Sequence, residues 1–459
     1  MVSVVRGMRD WMPAECRRLR ALQEAGRVSA ELFGYQEVST PIVEHTELFR
    51  RCLGVESDVV SKEMFCFEAG SGHEVTLRPE GTAGVMRSLL QDGPLVVRMR
   101  QQPCRLWYTG PMFRYERPQR GRHRQFHQLG VELVGGPDLR QAAVQADVEV
   151  LEMAHHFLRE LGVQVGGPQV ALQVNSLGSL TERGEYSQLL HAYLVPFRDR
   201  LSPDSRHRLD RGAVLRILDS KNAEDQQILQ GAPCIRDCLQ GDSTDHFLGV
   251  QEGLHHLGIP FTVNSRLVRG LDYYTDTCFE FVWSSATSGQ NAILAGGRYN
   301  GLAGQLMGRS TRRSTPVPPS LPAVGWACGV ERLLLLLEEL NPPSPLPAPP
   351  LKVGVLPVMS PHQSTTPQLL HQECLRVARL LRSHGIPCTV PLDPQAEVRK
   401  QLRHLSEWEA CSHAILIGQE ELEQGTLSLK DLQQRTQQSL LPVAQVVSQL
   451  RSTVPPPPQ

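Results

Sequence analysis

Arg117, Arg120, Arg122 and Arg124 fall within residues 116–124, a stretch that also holds Pro118 and Gly121. Such a segment reads as a solvated loop. Each guanidinium in it is a planar fork of donors able to grip phosphate oxygens two at a time. An exposed arginine-rich turn would look the same by itself. The flanks carry more information. Upstream, Leu106, Tyr108 and Met112 recur at the spacing of a half-buried strand; downstream, residues 126–134 alternate through Leu129, Val131 and Leu133. Strand, basic loop and strand predict a hairpin with a phosphate-holding tip. On its returning strand Gln128 and Glu132 are four apart and so share one face of the sheet. A carboxylate on an otherwise apolar strand is costly unless it meets a partner, and a ligand is one candidate.

Four further stretches concentrate polar chemistry. In TLRPEGT (76–82), Glu80 and Thr82 stand where a strand gives way to a helix, placed either to accept from an ammonium group or to cap that helix. In LVRGLDYYT (267–275), Arg269, Asp272, Tyr273 and Tyr274 make a dense polar and aromatic turn, for which a local Arg–Asp ion pair is the plainer reading. AGGRYNGL (295–302) has the glycines that permit close backbone approach to a ligand. AVGWACGVERLLLLL (323–337) gives a short strand and then a helix; its leucines are core residues, and Arg332 is the one that packing does not explain.

These residues must be positioned by several elements. A helix starts at Pro13 and ends at Gly34, followed by a strand over 35–43 that Pro41 confines to an edge or bulge. Residues 64–67 and 74–77 read as paired strands, 138–161 as an amphipathic helix, and about 180–256 as a helical excursion without catalytic character. Residues 309–320 form a Pro/Ser/Arg loop. The Pro-rich run 341–350 is the clearest linker. Beyond it strands and helices alternate to about residue 450, which indicates a small α/β domain, and a Pro-rich tail occupies 451–459.

Composition bounds the function. The 459 residues are 21% charged and 40% hydrophobic with a net charge of −1, so any nucleic-acid contact must come from local patches. The eleven cysteines lack metal-site spacing and fit a reducing compartment. The longest leucine run is too short to span a bilayer, and no apolar leader opens the chain; a soluble, cytoplasmic protein without membrane contact is expected. GxxxxGK[ST], GxGxxG, HIGH and KMSKS are all absent, so any ATP must be held by arginines and a sheet.

The hairpin wording GPMFRYERPQRGRHRQFHQLGVE (110–132) resembles motif 2 of the class II aminoacyl-tRNA synthetases, and in particular the histidyl-tRNA synthetase family. The 13–43 helix and strand resemble motif 1, the dimer-forming element, and 323–337 resembles motif 3. TLRPEGT, LVRGLDYYT and AGGRYNGL are similar to family segments, the last two being family signatures. The resemblance implies an α+β catalytic domain over 1–340, built on a mixed, mainly antiparallel sheet with a helical insertion at about 180–256, and a C-terminal α/β anticodon-binding domain over 351–450. It implies activation of L-histidine with ATP and Mg²⁺, transfer of the histidyl group to tRNA(His), and a homodimer. By motif, Glu80, Thr82 and Gln128 would hold the amino group, and Glu132 and Tyr274, with Tyr273 beside them, the imidazole. Arg114 and Arg269 would contact the α-phosphate as the catalytic pair, Arg122 and Arg332 the outer phosphates, and Gln119 and Arg120 the acceptor end of tRNA. A catalytically silent, histidine-binding regulatory paralogue is the alternative. Such relatives lose catalytic arginines and usually the C-terminal domain, both of which this chain keeps.

Overall fold

A computed structural model describes residues 2–54, 57, 59–70, 72–91, 93–99, 101–137, 140–268, 273–284, 291–307, 320–340, 351–359, 366–393, 396–407, 409–432 and 439–453. Arg269 and its neighbours to Asp272, nearly all of the 309–320 loop, the 341–350 linker and most of the tail thus lie outside the described residues. The chain divides into two compact units at Leu346/Pro347.

The first unit is built on an eight-stranded sheet whose spatial order is Gln36–Glu37, Cys104–Phe113, Gln125–Val134, Ala323–Gly329, Ala292–Arg298, Thr275–Trp283, Val170–Ser176, Thr262–Val263. Only the two edge pairings are parallel. The hairpin forms as its alternation requires, with Leu106 opposite Glu132 and Gly110 opposite Gln128. On the other side of the returning strand, Gly325 pairs with Glu132 and Gly329 with Gln128. Each polar residue therefore has a glycine as cross-strand neighbour, which leaves the floor of the sheet open above it.

Helix Pro13–Leu32 begins with proline at its first turn, and Gly34 takes φ +77 to end it. The strand expected over 35–43 shrinks to Gln36–Glu37, and pairing resumes only at Val43–His45 in a separate three-stranded sheet. The reason is local. Pro41 has no N–H to offer a ladder, and the Thr40 carbonyl accepts instead from the buried Arg78 guanidinium at 2.8 Å. Arg78 also donates to the Pro111 carbonyl at 3.0 Å, which ties the TLRPEGT junction to the hairpin.

Helices Leu180–Leu194, Pro203–Asp210, Ala223–Leu229 and Gly241–His256, joined by 3₁₀ turns, make up the excursion. Its first helix has a capping box in which Ser179 accepts from the Glu182 N–H. The Glu182 carboxylate also accepts from Ser243 Oγ at 2.6 Å, so the outgoing and returning helices are bonded to each other. Within the excursion the buried Asp225 accepts from the hydroxyls of Ser202, Ser205 and Ser220 at 2.7, 2.6 and 2.6 Å. Helix Gly241–His256 lies against Arg140–Glu160, and its Phe247, Val250 and Leu254 share a core with Val150, Phe157 and Trp326.

The second unit has a five-stranded sheet ordered Cys388–Thr389, Val353–Pro357, His413–Ile417, Thr426–Asp431, Ser439–Pro442, parallel over the first three and antiparallel over the rest. Helices Pro367–Ser383 and Val443–Thr453 cover it, burying Leu370, Val377, Leu381, Val446 and Leu450 against the strands. Among the described residues no helix is long and apolar enough to cross a membrane.

Asp225→Ala leaves serine hydroxyls in a buried site without their acceptor. The expected loss is roughly 1–3 kcal/mol of stability, read by chemical denaturation; an unchanged midpoint would show that the serines are satisfied in some other way.

Candidate active site

A cavity of about 860 Å³ gathers nine of the expected side chains: Glu80, Thr82, Arg114, Arg122, Gln128, Glu132, Tyr273, Tyr274 and Arg332. Glu132 is its most constrained member. It is 1% exposed, and its carboxylate accepts from Thr82 Oγ1 at 2.6 Å, Tyr108 Oη at 3.3 Å, and the Tyr299 hydroxyl. A Cβ at Gly325 would sit 2.0 Å from Glu132 Oε2, so the facing strand has glycine where the carboxylate needs room. Burial pushes the Glu132 carboxyl from an ordinary 4.5 up to about 8, against the pull of the Thr82, Tyr299 and Tyr108 hydroxyls.

Glu80 is at the same end of the cavity, and its two oxygens accept from the backbone N–H groups of Thr82 and Ala83 at 2.8 Å each. The carboxylate thus caps helix Thr82–Gln91, a role that the sequence suggests for Thr82. A carboxylate oxygen can accept more than one hydrogen bond, and Glu80 lines the cavity. Thr82 instead donates its hydroxyl proton to Glu132 and also lines the cavity. Gln128 Oε1 is buried without a hydrogen-bond partner among the described residues. An orphaned acceptor beside two others is a site for a cation with several N–H donors.

The arginines occupy another wall. Arg114 Nε donates to the Pro79 carbonyl at 2.9 Å, and its guanidinium is 5.3 Å from the Phe126 ring. The buried Glu116 lies between Arg114, at 3.8 Å, and Arg122, with which it forms an ion pair. Arg332 Nη1 donates to the Ala292 carbonyl at 2.8 Å. Next to it, Glu331 accepts from the His127 backbone N–H at 2.9 Å and lies 3.0 Å from His127 Nδ1, which binds the motif 3 helix to the hairpin. Gln119 and Arg120 are exposed at the tip, where Gln119 and Arg122 form a bridge around Gly121 at φ +74. They do not line the main cavity; Arg120 borders a smaller one with Arg9, Trp11 and Arg18.

Tyr273, Tyr274 and Tyr299 form an aromatic wall with centroid separations of 4.7 to 6.4 Å. Sequence reading passed over Tyr299, which lies inside AGGRYNGL but was weighed only for its glycines, and Tyr108, which fits the apolar alternation of its strand. It also missed Glu116, a carboxylate among arginines. The insertion contributes Arg208 and Lys221 to the lining, and no local motif marks them.

Residues 7–333 match the family model for histidyl-tRNA synthetase, and residues 352–453 that for an anticodon binding domain. The chain belongs to the histidyl-tRNA synthetase family. It is 40% identical over 439 residues to a histidine–tRNA ligase of Gluconobacter oxydans, covering 96% of each chain. A Synechocystis histidine–tRNA ligase is 41% identical over 96% of this chain and 90% of its own. The crystal structure of apo S. aureus histidyl-tRNA synthetase superposes with a TM-score of 0.72 at 29% identity, covering 98% of this chain and all of that one. The mainly antiparallel sheet and the C-terminal α/β domain are those of this family.

Glu132 makes folding depend on pH in a predictable sense. Its folded pKa lies above its unfolded value, so its contribution is complete in acid and is lost as pH rises through about 8. Without ligands, Glu132→Gln cannot ionise and should gain thermal stability relative to the parent as pH goes from 5 to 9. Parallel melting profiles for the two proteins would contradict the elevated value.

Proposed function

We propose that this cavity activates L-histidine with ATP and hands the histidyl group to tRNA(His), the reaction of a histidine–tRNA ligase. The observation that carries the reading is the joint placement of two acceptor groups. The orphaned Gln128 oxygen, with Glu80 and Thr82 in the same lining, suits an ammonium group. Glu132, buried and sharing the lining with Tyr274 and Tyr299, suits a ring N–H. An amino acid without a ring donor would forgo the bond that Glu132 offers beyond those from Thr82, Tyr108 and Tyr299, which is a basis for discrimination.

In activation, a carboxylate oxygen of histidine attacks the α-phosphorus. A P–O bond forms as the bond to the bridging oxygen breaks, and the electron pair leaves on pyrophosphate. No protein nucleophile takes part, so the chain contributes orientation and fixed charge. Arg114, with Arg269 of the signature peptide, would face the α-phosphate, and Arg122 and Arg332 the β- and γ-phosphates. Among the described residues no three metal-ligating side chains converge. Mg²⁺ would therefore arrive on the ATP phosphates, supplying charge neutralisation there, as its preference for phosphate and water ligands allows. In transfer, a ribose hydroxyl at the 3′ end of the tRNA attacks the acyl carbon and AMP leaves. Gln119 and Arg120, exposed at the hairpin tip, would meet that end of the tRNA, and the C-terminal domain its anticodon. A homodimer through the motif 1 region is supported by exposed Val28, Leu32, Ile42 and Val43. The cytoplasm is the compartment this reading implies.

Histidine-dependent ATP–pyrophosphate exchange, run beside the other amino acids, tests the reading; no exchange, or exchange equally well supported by another amino acid, would overturn it. A bound ring N–H would favour the ionised form of Glu132, so Glu132→Gln should weaken histidine binding by roughly 1.5–3 kcal/mol, the range for a hydrogen bond to a charged group, with ATP binding nearly intact. Near-normal histidine affinity would remove Glu132 from the imidazole site. Arg269→Ala should lose on the order of 10²–10³ in exchange rate, as for one oxyanion-type donor, yet still bind histidine. A less stable but fully active variant would reduce Arg269 to a structural ion pair.

A further inference from the structure

Arg298 and Tyr299 are consecutive, so one faces the helices behind the sheet and the other the cavity. The reaction proposed above makes no use of Arg298, yet the guanidinium is 1% exposed and fully engaged. Its Nε and Nη2 donate to Asp147 Oδ1 at 3.0 and 2.6 Å, Nη2 also donates to the Ala143 carbonyl at 2.8 Å, and Nη1 donates to Asn300 Oδ1 at 3.0 Å. Asn300 Oδ1 in turn accepts from the Ala323 N–H at 3.0 Å. The other Asp147 oxygen lies 2.7 Å from His246 Nε2, which is 3.2 Å from Thr277 Oγ1. Burial alone would raise the Asp147 carboxyl, but the Arg298 charge and the His246 contact outweigh it and hold it below its ordinary value.

One cluster thus joins two helices, three sheet strands and the turn that carries Tyr299. Stability is a poor reason for it: a buried ion cluster is often no more stabilising than apolar side chains of the same volume, whereas its directional bonds fix where each element sits. The element it fixes most tightly is the end of strand Ala292–Arg298. Arg298 is held from behind by Asp147 and from the side by Asn300, and the next residue delivers a hydroxyl to Glu132. We propose that Arg298 is a positioning residue for histidine selection, holding the Tyr299 hydroxyl on Glu132 through a buried cluster that His246, on the returning helix of the insertion, completes. This rests on the histidine-activating reading and adds to it a residue that touches no substrate.

Pyrophosphate exchange with Arg298→Lys, Tyr299→Phe and the double variant tests the inference. Lysine keeps the charge but lacks the fork that reaches Asp147 and Asn300 together. Arg298→Lys should raise the KM for histidine on the order of tenfold, the effect of weakening one hydrogen bond to a charged group, with the KM for ATP near that of the parent. Adding Tyr299→Phe should bring little further loss, because both changes remove the same contact. If Arg298→Lys does not fold, Asn300→Ala, which removes one Arg298 bond at the edge of the cluster, is measured in its place with the same expectation. A normal histidine KM in the folded variant, or independent multiplied losses with Tyr299→Phe, would overturn the inference while leaving the ligase reading intact. A parent protein without histidine-dependent exchange would instead remove the reading on which it rests.

Discussion

A carboxylate with almost no access to water, on an interior strand of an eight-stranded sheet, constrains much of what surrounds it. Glu132 needs donors, and hydroxyls from three separate segments supply them: Thr82 from the strand-to-helix junction, Tyr108 from the hairpin partner, and Tyr299 from the turn after Ala292–Arg298. It needs space, and the chain meets that with glycine. A Cβ at Gly130 would lie 2.5 Å from Tyr108 Oη and one at Gly325 would lie 2.0 Å from Glu132 Oε2. These residues are far apart in sequence, and the sheet is what brings them together. Burial that would be a defect in a core strand is met, in this cavity wall, by hydroxyls that hold the carboxyl in one place for whatever enters.

The phosphate side works by a different balance. Glu116 sits between Arg114 and Arg122, so neither guanidinium presents an unopposed charge to the cavity. Like-charged side chains close together in a loop would otherwise splay toward water. A polyphosphate offers more charge than one carboxylate and geometry matched to the arginine fork, and can compete for both. Orientation is thus established before the substrate arrives, which is where fixed charges are most effective.

Much of this was legible in the sequence because the motifs are local. The hairpin followed from alternation around a Pro/Gly/Arg loop, helix Pro13–Leu32 from its proline start and glycine end, and the shared face of Gln128 and Glu132 from their spacing. Legibility ended where long-range bonds overrode local pattern. The 35–43 strand is interrupted because Arg78, from another segment, takes the Thr40 carbonyl. Val170–Ser176, inside the sheet, went unread, as did Tyr299 and Glu116, whose roles depend on neighbours more than 100 residues away or on charges that read as surface. Arg298 looked like one letter of a glycine-rich signature; that Asp147, Asn300 and His246 meet around it is a property of topology.

That topology also bears on how the insertion should be regarded. Both of its ends are bonded into the wall of the cavity. From the outgoing helix, Arg183 donates to the Tyr274 carbonyl at 2.6 Å. From the returning helix, His246 reaches Asp147 and Thr277 behind the same strands, and Glu182 and Ser243 bond the two helices to each other. An appended module would need only a pair of crossing points of no particular chemistry. Here the crossing points carry charge-assisted and buried hydrogen bonds to the backbone of Tyr274 and to the cluster behind Tyr299, two of the three tyrosines that wall the cavity. A displacement of the insertion must therefore either break these bonds or be felt at the aromatic wall. Because buried polar bonds are costly to leave unmade, the second course is the easier one.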